Sequence, residues 1–284
     1  MKKVVIGYLY SGRRLGLDEI YFRRAAKKKN VIPVLISTSN WSSEEELKEK
    51  INSCDIIYNS SGDDFVIETE KTVEELGKKM IETSKSFYYT EDKWMFFLKC
   101  KEHGVPTPKT ILLSEDIAVA KKELHNFGEW PVILKRVSGT CGEYVEKAKN
   151  LKEAEKLIKK FWKKGSEKLP IIAQEYILSP SYRVLIIDNK IVQTAMKKNK
   201  MWKATGVYAE HFKKFPIDNE LRKIIKKMMK FVDIRICGID FLKKNGKWVA
   251  LEVNAAPGFD FFGSEREILA EKLVNLLKKA AKKN

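Results

Sequence analysis

The sequence predicts a mixed fold in which a small α/β unit is followed by a larger α+β unit. Strand and helix patterns alternate at the start of the chain, which is typical of a parallel sheet covered by helices. Pairs of strand patterns joined by short polar turns dominate the second half, which indicates antiparallel sheets. The length of 284 residues allows roughly two domains, each with its own apolar core.

The first unit has the pattern of a βαβαβ series. Apolar and β-branched runs predict its strands, and apolar residues at helical spacing predict its helices. In chain order we predict a strand at 4–10, a helix at 17–29, a strand at 31–36, a helix at 44–51 and a strand at 55–58. A further helix is predicted at 72–84, and we place the end of this N-terminal domain at residue 88.

The second domain, predicted at 89–284, opens with an amphipathic helix at 92–103 that Gly104 ends. There follow a strand at 131–135, a small-residue loop at 138–142, a return strand at 144–145, a helix at 151–163 and a strand at 171–177. The last part has hairpins at 183–196 and 236–253, a helix between them at 218–231, and a final helix at 264–281. We divide this domain at residue 180 into a central subdomain, which holds the glycine loop, and a C-terminal subdomain.

The chain is strongly basic. Lys and Arg number 55 against 38 Asp and Glu, which leaves a formal charge of +17. Such a charge suits an anionic partner, whether nucleic acid, a nucleotide, a membrane surface or an acidic protein. Because the lysines are spread along all the helices and are not interleaved with aromatic residues on one face, we interpret most of them as a solvated coat and disfavour a nucleic-acid interface.

The apolar pattern bears on the location of the protein. An apolar content of 44% excludes a disordered polyelectrolyte. No apolar run approaches the ~20 residues needed to cross a bilayer, and the chain starts directly with a strand pattern rather than with a signal peptide. We therefore expect a soluble cytoplasmic protein without a membrane partner.

The clearest candidate site lies in the last hairpin. Asp240 and Glu252 interrupt otherwise apolar strands, and adjacent antiparallel strands can place them side by side on one face. Asn254 shares the face of Glu252 because side chains in a strand alternate with a period of two. Two carboxylates and an amide oxygen are hard ligands, so the pattern predicts a Mg²⁺ site that works together with nucleotide phosphates.

A lysine and a glycine loop form the second candidate. Lys135 follows three apolar residues in a strand whose neighbours are predicted to be buried, and a buried lysine needs an anionic partner. Gly139 and Gly142 in the next loop have no Cβ and allow a phosphate to approach the backbone closely. Lys93, which opens the helix at 92–103, is a weaker candidate of the same kind.

The third candidate is the segment Gln174, Glu175, Tyr176 and Ile177 at the end of a strand. Its backbone can hydrogen-bond an adenine edge, but the same pattern is also that of an ordinary strand. The residues alone leave both interpretations open.

Taken in order, these pieces resemble the ATP-grasp superfamily and, within it, the RimK/LysX-like carboxylate–amine ligases. The resemblance rests on Asp92-Lys93, on Val-Ile-Leu-Lys at 132–135 before a glycine loop, on Gln-Glu-Tyr-Ile at 174–177, on Gly-Ile-Asp at 238–240 and on Glu-Val-Asn-Ala-Ala-Pro-Gly at 252–258. It extends over nearly the whole chain, and the first unit would then be a pre-ATP-grasp domain.

The resemblance implies roles for the candidate residues. Lys93, Lys135 and the loop with Gly139 and Gly142 would contact ATP phosphates, and the segment 174–177 would form the adenine hinge. Asp240, Glu252 and Asn254 would hold Mg²⁺ or Mn²⁺. Arg183 would contact ATP and act in catalysis together with Lys135. A further family arginine is matched here by Lys197 or Lys198, of which we choose Lys198.

Two segments depart from the family pattern. The chain has Ser179-Pro180-Ser181 where the family has an Asp for the ribose hydroxyls. The family's Asn-x-x-Arg-Gly-Gly segment is replaced by residues 204–210, of sequence ATGVYAE. Both differences lie in regions that the resemblance assigns to ribose and substrate.

The activity implied is ATP-dependent formation of an amide through an acyl phosphate. The acid is expected to be a glutamate-type carboxylate on a small molecule or on an acidic carrier protein, and the enzyme is expected to form a homo-oligomer. A glutamate ligase acting on a cofactor tail is an alternative within the same fold. A non-catalytic ATP-binding protein and a nucleic-acid-binding module are alternatives from other classes.

Overall fold

The computed structural model describes residues 2–139, 142–163, 168–198, 202–203 and 211–282, without the side chains of residues 89, 91 and 198. The described residues form one parallel sheet and two antiparallel sheets, as the sequence predicts. None of the helices in these ranges is both long and apolar enough to span a membrane.

The parallel sheet has the strand order β2-β1-β3-β4 and contains Val5–Tyr10 (β1), Ile32–Ser37 (β2), Ile56–Asn59 (β3) and Met80–Ile81 (β4). The helices of this part of the chain are Leu17–Lys28 (α1), Glu44–Ser53 (α2), Asp64–Glu75 (α3) and Ser84–Glu91 (α4). Nearly all of β1 is buried, which is typical of a parallel strand covered on both faces.

The single helix predicted at 72–84 is wrong. The segment instead contains the end of α3, the strand β4 and the start of α4. Gly77 has a φ of 70°, a left-handed conformation that ends a helix and that glycine adopts without a steric penalty. The chain then turns so that Met80 and Ile81 pair with β3. The predicted domain end at residue 88 falls inside α4, and the division into domains stays a prediction.

The first antiparallel sheet has the order β5-β8-β6-β7 and contains Thr110–Leu112 (β5), Val132–Arg136 (β6), Val145–Ala148 (β7) and Ile171–Glu175 (β8). Its helices are Lys93–Glu102 (α5), Ile117–Phe127 (α6) and Leu151–Trp162 (α7). β5 and α6 were not among the predicted elements. Both ends of α6 nevertheless carry signals, since the Asp116 carboxylate caps its first turn and Gly128 ends it with a φ of 68°.

The second antiparallel sheet has the order β11-β10-β9-β12-β13 and contains Ser181–Ile187 (β9), Lys190–Lys198 (β10), His211–Lys213 (β11), Ile236–Lys244 (β12) and Lys247–Asn254 (β13). Its helices are Asn219–Val232 (α8) and, after a short 3₁₀ turn at Gly263–Glu265, Arg266–Ala281 (α9).

The two helices cover different parts of this sheet. Apolar residues of α8 pack against Val184 and Ile239. Those of α9 share a core with Leu185 and also with Ile6 and Tyr8 of the parallel sheet. The last helix therefore fixes the N-terminal strands against the sheet that carries Asp240.

Candidate active site

A cleft that is open to solvent lies between the two antiparallel sheets and encloses about 1100 Å³ when the solvent at its mouth is included. Residues of β6, β7 and β8 line one side, and residues of β9, β10, β12 and β13 line the other. Among the residues predicted for the site, those that line the cleft are Lys93, Lys135, Gly139, Gly142, Gln174, Glu175, Tyr176, Ile177, Asp240, Glu252 and Asn254. The fold thus brings together candidate residues that lie between positions 93 and 254 of the sequence.

Lys135 reaches the cleft because strand side chains alternate. Val132 and Leu134 of β6 face the core under α6 and α7, so Ile133 and Lys135 point the other way. The Lys135 side chain is buried, and its Nζ donates a hydrogen bond to Gln174 Oε1 over 2.7 Å. No carboxylate among the described residues forms an ion pair with it. Burial lowers the pKa of Lys135 to about 8, although Glu252 raises it in part.

A short chain of hydrogen bonds fixes the Gln174 amide. Gln174 Nε2 donates to Thr110 Oγ1 over 3.0 Å, and the Thr110 hydroxyl donates in turn to the Pro108 carbonyl over 3.0 Å. A carbonyl only accepts, so the Thr110 oxygen must accept from the amide nitrogen. The amide oxygen of Gln174 therefore faces Lys135.

Lys93 lies against the glycine loop. It is the first residue of α5, and its Nζ donates to the Gly139 carbonyl over 2.8 Å. Gly139 has a φ of 126° and Gly142 a φ of 68°, so both occupy conformations that favour glycine. The two residues between these glycines lie outside the described ranges. The loop and the start of α5 thus form one rim of the cleft.

The predicted hinge segment divides into two parts. β8 ends at Glu175, two residues earlier than predicted, and Tyr176 and Ile177 continue beyond the last paired residue. The Glu175 carboxylate accepts from the Lys109 backbone N–H over 3.0 Å and pairs with Lys244 Nζ over 2.6 Å. Its side chain therefore ties β12 to the start of β5, whereas the backbone after it borders the cleft.

The acidic pair adopts the predicted arrangement. Asp240 of β12 is directly opposite Glu252 of β13, and a bulge follows immediately after Asp240. Asn254 lies opposite Gly238 and donates from Nδ2 to its carbonyl over 3.4 Å. All three oxygen-bearing side chains line the same cleft.

Asp240 is paired with two cations. Arg183 donates from Nε to Oδ1 over 2.6 Å and from Nη2 to Oδ2 over 2.7 Å, and Lys197 Nζ donates to Oδ1 over 2.9 Å. Burial by itself would raise the pKa of Asp240, but the charges of Arg183 and Lys197 outweigh it and hold that pKa well below its usual range. Asp240 is therefore ionised throughout the physiological pH range.

Gly238 makes this pairing possible. A Cβ built at that position would lie 2.5 Å from Arg183 Nη1 and 3.1 Å from the Pro257 Cβ. No side chain larger than hydrogen fits there without displacing the guanidinium group, which explains why a glycine precedes Ile239 and Asp240 on the strand.

Lys197 is a site residue that the sequence analysis did not select. Its side chain is only 1% exposed and lines the cleft beside Asp240. Our choice, Lys198, follows it on β10, and the side chain of Lys198 lies outside the described residues. The segment 204–210 also lies outside them. Ser179 and Ser181, which stand where the ribose Asp was expected, both line the cleft.

The donor set fits a hard divalent cation. Asp240, Glu252 and Asn254 offer oxygen ligands, which Mg²⁺ and Mn²⁺ prefer. Within the described ranges no group of three or more His, Cys, Asp or Glu residues can hold a metal by itself. The remaining ligands for a cation at Asp240 must therefore come from a bound molecule or from water, as is common for Mg²⁺ next to phosphates.

Two antiparallel sheets enclose a cleft, with the buried Lys135 on one side and the acidic pair on the other, and this architecture is that of the ATP-grasp fold. Solved structures agree with this fold. A RimK domain ATP-grasp protein from Sphaerobacter thermophilus aligns with a TM-score of 0.78 and 12% identity, covering 96% of this chain and 99% of that one. D-alanine–D-alanine ligase from Bacillus anthracis, in complex with ATP, aligns with a TM-score of 0.74 and 17% identity over 98% and 97% of the two chains.

The family follows from the sequence comparisons. The chain belongs to the RimK-like ATP-grasp family, whose model, described as a RimK-like ATP-grasp domain, matches residues 90–277. The chain is 30% identical over 202 residues to coenzyme gamma-F420-2:alpha-L-glutamate ligase of Methanococcus maripaludis, which covers 68% of each protein. It is 25% identical over 257 residues to the protein of the same name from Methanocaldococcus jannaschii, covering 78% of this chain and 87% of that protein. The protein is thus a carboxylate–amine ligase.

Proposed function

We propose that this enzyme uses MgATP to activate a carboxylate and joins it to the amino group of glutamate. The nucleotide part rests on Lys135, a buried lysine that donates to the neutral amide of Gln174 and faces a cleft with an acidic pair on its other side. A buried cation without a counterion is unfavourable, and a phosphate would supply the missing charge.

The cleft offers separate surfaces for the parts of ATP. Ile133, Leu242 and Leu251 provide apolar walls, and the backbone of Tyr176 and Ile177 lies at their edge, which suits an adenine ring. Lys93, Lys135 and the loop with Gly139 and Gly142 suit the phosphates. Asp240, Glu252 and Asn254 would hold Mg²⁺ or Mn²⁺.

The proposed reaction has two steps. A carboxylate oxygen of the acid attacks the γ-phosphorus of ATP, the bond to the β-γ bridging oxygen breaks, and ADP leaves. The glutamate amine then attacks the acyl phosphate carbon, phosphate leaves, and the amine loses its proton. When bound, the metal would neutralise the charge that develops on the phosphate oxygens.

The residues of the chain act by position and charge. Lys135 and Arg183 would stabilise negative charge on the transferring phosphoryl group, and Lys198 stays a prediction for the same task. The described residues of the cleft include no Ser or Cys paired with a His as an activated nucleophile. Catalysis would therefore depend on orienting the two substrates and on neutralising charge.

Glutamate as the amine is supported by the relatives named above, each of which is an alpha-L-glutamate ligase by name. The same names favour a small acidic molecule, such as a cofactor tail, as the acceptor carboxylate. An acidic carrier protein is the second candidate acceptor, because the net charge of +17 on this chain would attract it. A homo-oligomeric state stays a prediction.

The test is ADP release with purified enzyme and MgATP, with L-glutamate as the amine and a panel of carboxylic acids that includes γ-glutamyl-tailed molecules and acidic proteins. We expect ADP release that depends on both glutamate and one class of acid, with an amide product of the summed mass less water. Equal ADP release with other amino acids in place of glutamate would contradict the proposed amine. Thermal stabilisation by RNA or DNA but not by MgATP would contradict the nucleotide assignment.

A further inference from the structure

We infer that Asp240 is closed to free divalent cations in the nucleotide-free enzyme, and that Arg183 and Lys197 open it by transferring from the carboxylate to the phosphates of ATP. The inference rests on the proposed function, since it assumes that ATP phosphates and a metal meet in this cleft. It assigns to Lys197 a role as a phosphate ligand and makes the metal site dependent on the nucleotide.

Both carboxylate oxygens of Asp240 already accept hydrogen bonds from cations. Oδ1 accepts from Arg183 Nε and from Lys197 Nζ, and Oδ2 accepts from Arg183 Nη2. A cation that approached Asp240 would meet two positive charges within 3 Å of the oxygens it needs. Because all three side chains are largely buried, solvent screens this repulsion weakly.

Glu252 differs from Asp240. Its side chain lines the same cleft opposite Asp240, yet its carboxylate forms no hydrogen bond or ion pair with another residue in the part of the chain that the structure describes. In this arrangement one of the two proposed metal-binding carboxylates is paired and the other is not. A single free carboxylate and an amide hold Mg²⁺ or Mn²⁺ poorly, so the affinity for the metal depends on releasing Asp240.

Release of Asp240 begins with Lys197, which lines the cleft and whose long side chain can turn from Asp240 toward an anion that binds there. Phosphate oxygens carry more negative charge than one carboxylate and make strong charge-assisted hydrogen bonds with Lys and Arg. Arg183 does not itself line the cleft but shares Oδ1 of Asp240 with Lys197. Once Lys197 binds phosphate and Arg183 follows it, both oxygens of Asp240 are free for a metal. Nucleotide and metal would therefore each strengthen the binding of the other.

The test measures two affinities in the full chain, for Mn²⁺ without nucleotide and for ATP in EDTA. Lys197→Met removes one competing cation, and Lys190→Met is the matched control, because Lys190 is an exposed residue of the same strand. We expect Lys197→Met to bind Mn²⁺ at least about tenfold more tightly than wild type and metal-free ATP about tenfold more weakly. Lys190→Met should match wild type in both.

The opposite signs separate the inference from a structural effect. A general loss of fold would weaken both affinities, and melting curves would show it. If Lys197→Met fails to fold, Arg183→Gln replaces it, because this variant removes the other cation. We expect it, too, to bind Mn²⁺ more tightly and metal-free ATP more weakly than wild type. Mn²⁺ affinity in these variants that equals or falls below that of wild type overturns the inference. The proposed metal site is tested separately with Asp240→Asn in the presence of a non-hydrolysable ATP analogue. If this variant loses Mn²⁺ binding, the metal site stands even where the inference about Lys197 and Arg183 is overturned. If none of the variants changes either affinity, both the inference and the proposed metal site are wrong.

Discussion

Two buried lysines line the cleft from opposite sheets, and they differ in what balances their charge. Lys135 on β6 donates to the neutral amide of Gln174 and forms no ion pair with another described residue. Lys197 on β10 pairs with the carboxylate of Asp240, which it shares with Arg183. One side of the cleft therefore holds a lysine without an ion-pair partner, and on the other side one carboxylate offsets one of two positive charges.

The difference shows how one cleft can be ready for a polyanion and still be stable without it. Removing one partner of a buried ion pair typically costs about 3–5 kcal/mol, so a site with only unpaired lysines would be hard to fold. Lys135 keeps part of that cost, which appears as its lowered pKa. Asp240 offsets part of this cost for Lys197 and Arg183, although burial and the charge of Arg183 still lower the pKa of Lys197. This pairing occupies a proposed metal ligand.

The strongest way to break this contrast is to remove the shared carboxylate. Asp240→Asn leaves Arg183 and Lys197 without a counterion and removes a proposed metal ligand. We expect ADP release to fall by about a thousandfold or more, as for loss of an electrostatic stabiliser combined with loss of positioning. The assay is ADP release with the acid and glutamate. Glu252→Gln should cause a comparable loss of activity with a smaller loss of stability, because the Glu252 carboxylate forms no hydrogen bond or ion pair with a described residue and favours the charge of Lys135 only from a distance. Full activity in both variants would contradict the metal assignment.

Removing the uncompensated lysine should have the next largest effect. Lys135→Met keeps the length of the side chain and eliminates the charge that we assign to the phosphates. We expect ATP-dependent turnover to fall by roughly a hundredfold, while the melting temperature without nucleotide stays equal or rises, because the cost of burying the charge disappears. Titration of ATP with melting curves and ADP assays measures both quantities. A large drop in the melting temperature with unchanged turnover would show that Lys135 is structural.

The support behind Lys135 can be tested by a smaller change. Thr110→Val removes the oxygen that accepts from Gln174 Nε2, so the amide loses the orientation that presents its own oxygen to Lys135. We expect ATP affinity to fall by about tenfold, in line with a buried hydrogen bond left unmade. Thr110→Ser keeps the hydroxyl and should behave like wild type.

A double-mutant cycle assigns that effect to Lys135. In the Lys135→Met background, Thr110→Val should cause no further loss of ATP affinity, because the residue through which Thr110 acts is already absent. Additive losses would show that Thr110 acts by another route.

The sequence predicted one side of the contrast better than the other. Lys135 follows a run of apolar residues, and Asp240 and Glu252 interrupt two apolar strands, so each polar residue is visible against its neighbours. The choice between Lys197 and Lys198 depends on strand alternation, and the predicted strand ended at 196, before either residue. β10 extends to Lys198, and only its register with β9 shows which lysine faces Asp240.

Partners that lie far apart in sequence were also beyond prediction. The amide of Gln174 meets Lys135 over 39 positions and Thr110 over 64, and its orientation depends on a backbone carbonyl. The pairing of Arg183 with Asp240 spans 57 positions. The sequence shows that such residues are polar or charged, but the order and register of the strands determine which of them contact each other.

The smallest expected effect is a dependence on pH that distinguishes the two lysines. Burial lowers the pKa of Lys135 to about 8, so the free enzyme loses this charge as the pH rises through 8. Only the protonated form attracts phosphate, and bound ATP in turn favours the proton. ATP affinity in wild type should therefore be constant below pH 7 to 7.5 and fall several-fold between pH 8 and pH 9, since each unit above the pKa reduces the protonated fraction roughly tenfold. In Lys135→Met the affinity, already low, should fall less steeply over the same interval, because Lys197 stays in the cleft and burial lowers its pKa as well. Binding measurements in EDTA at constant ionic strength can show this. An identical decline in both proteins would assign the titration to another group and would remove the distinction between the unpaired and the paired lysine.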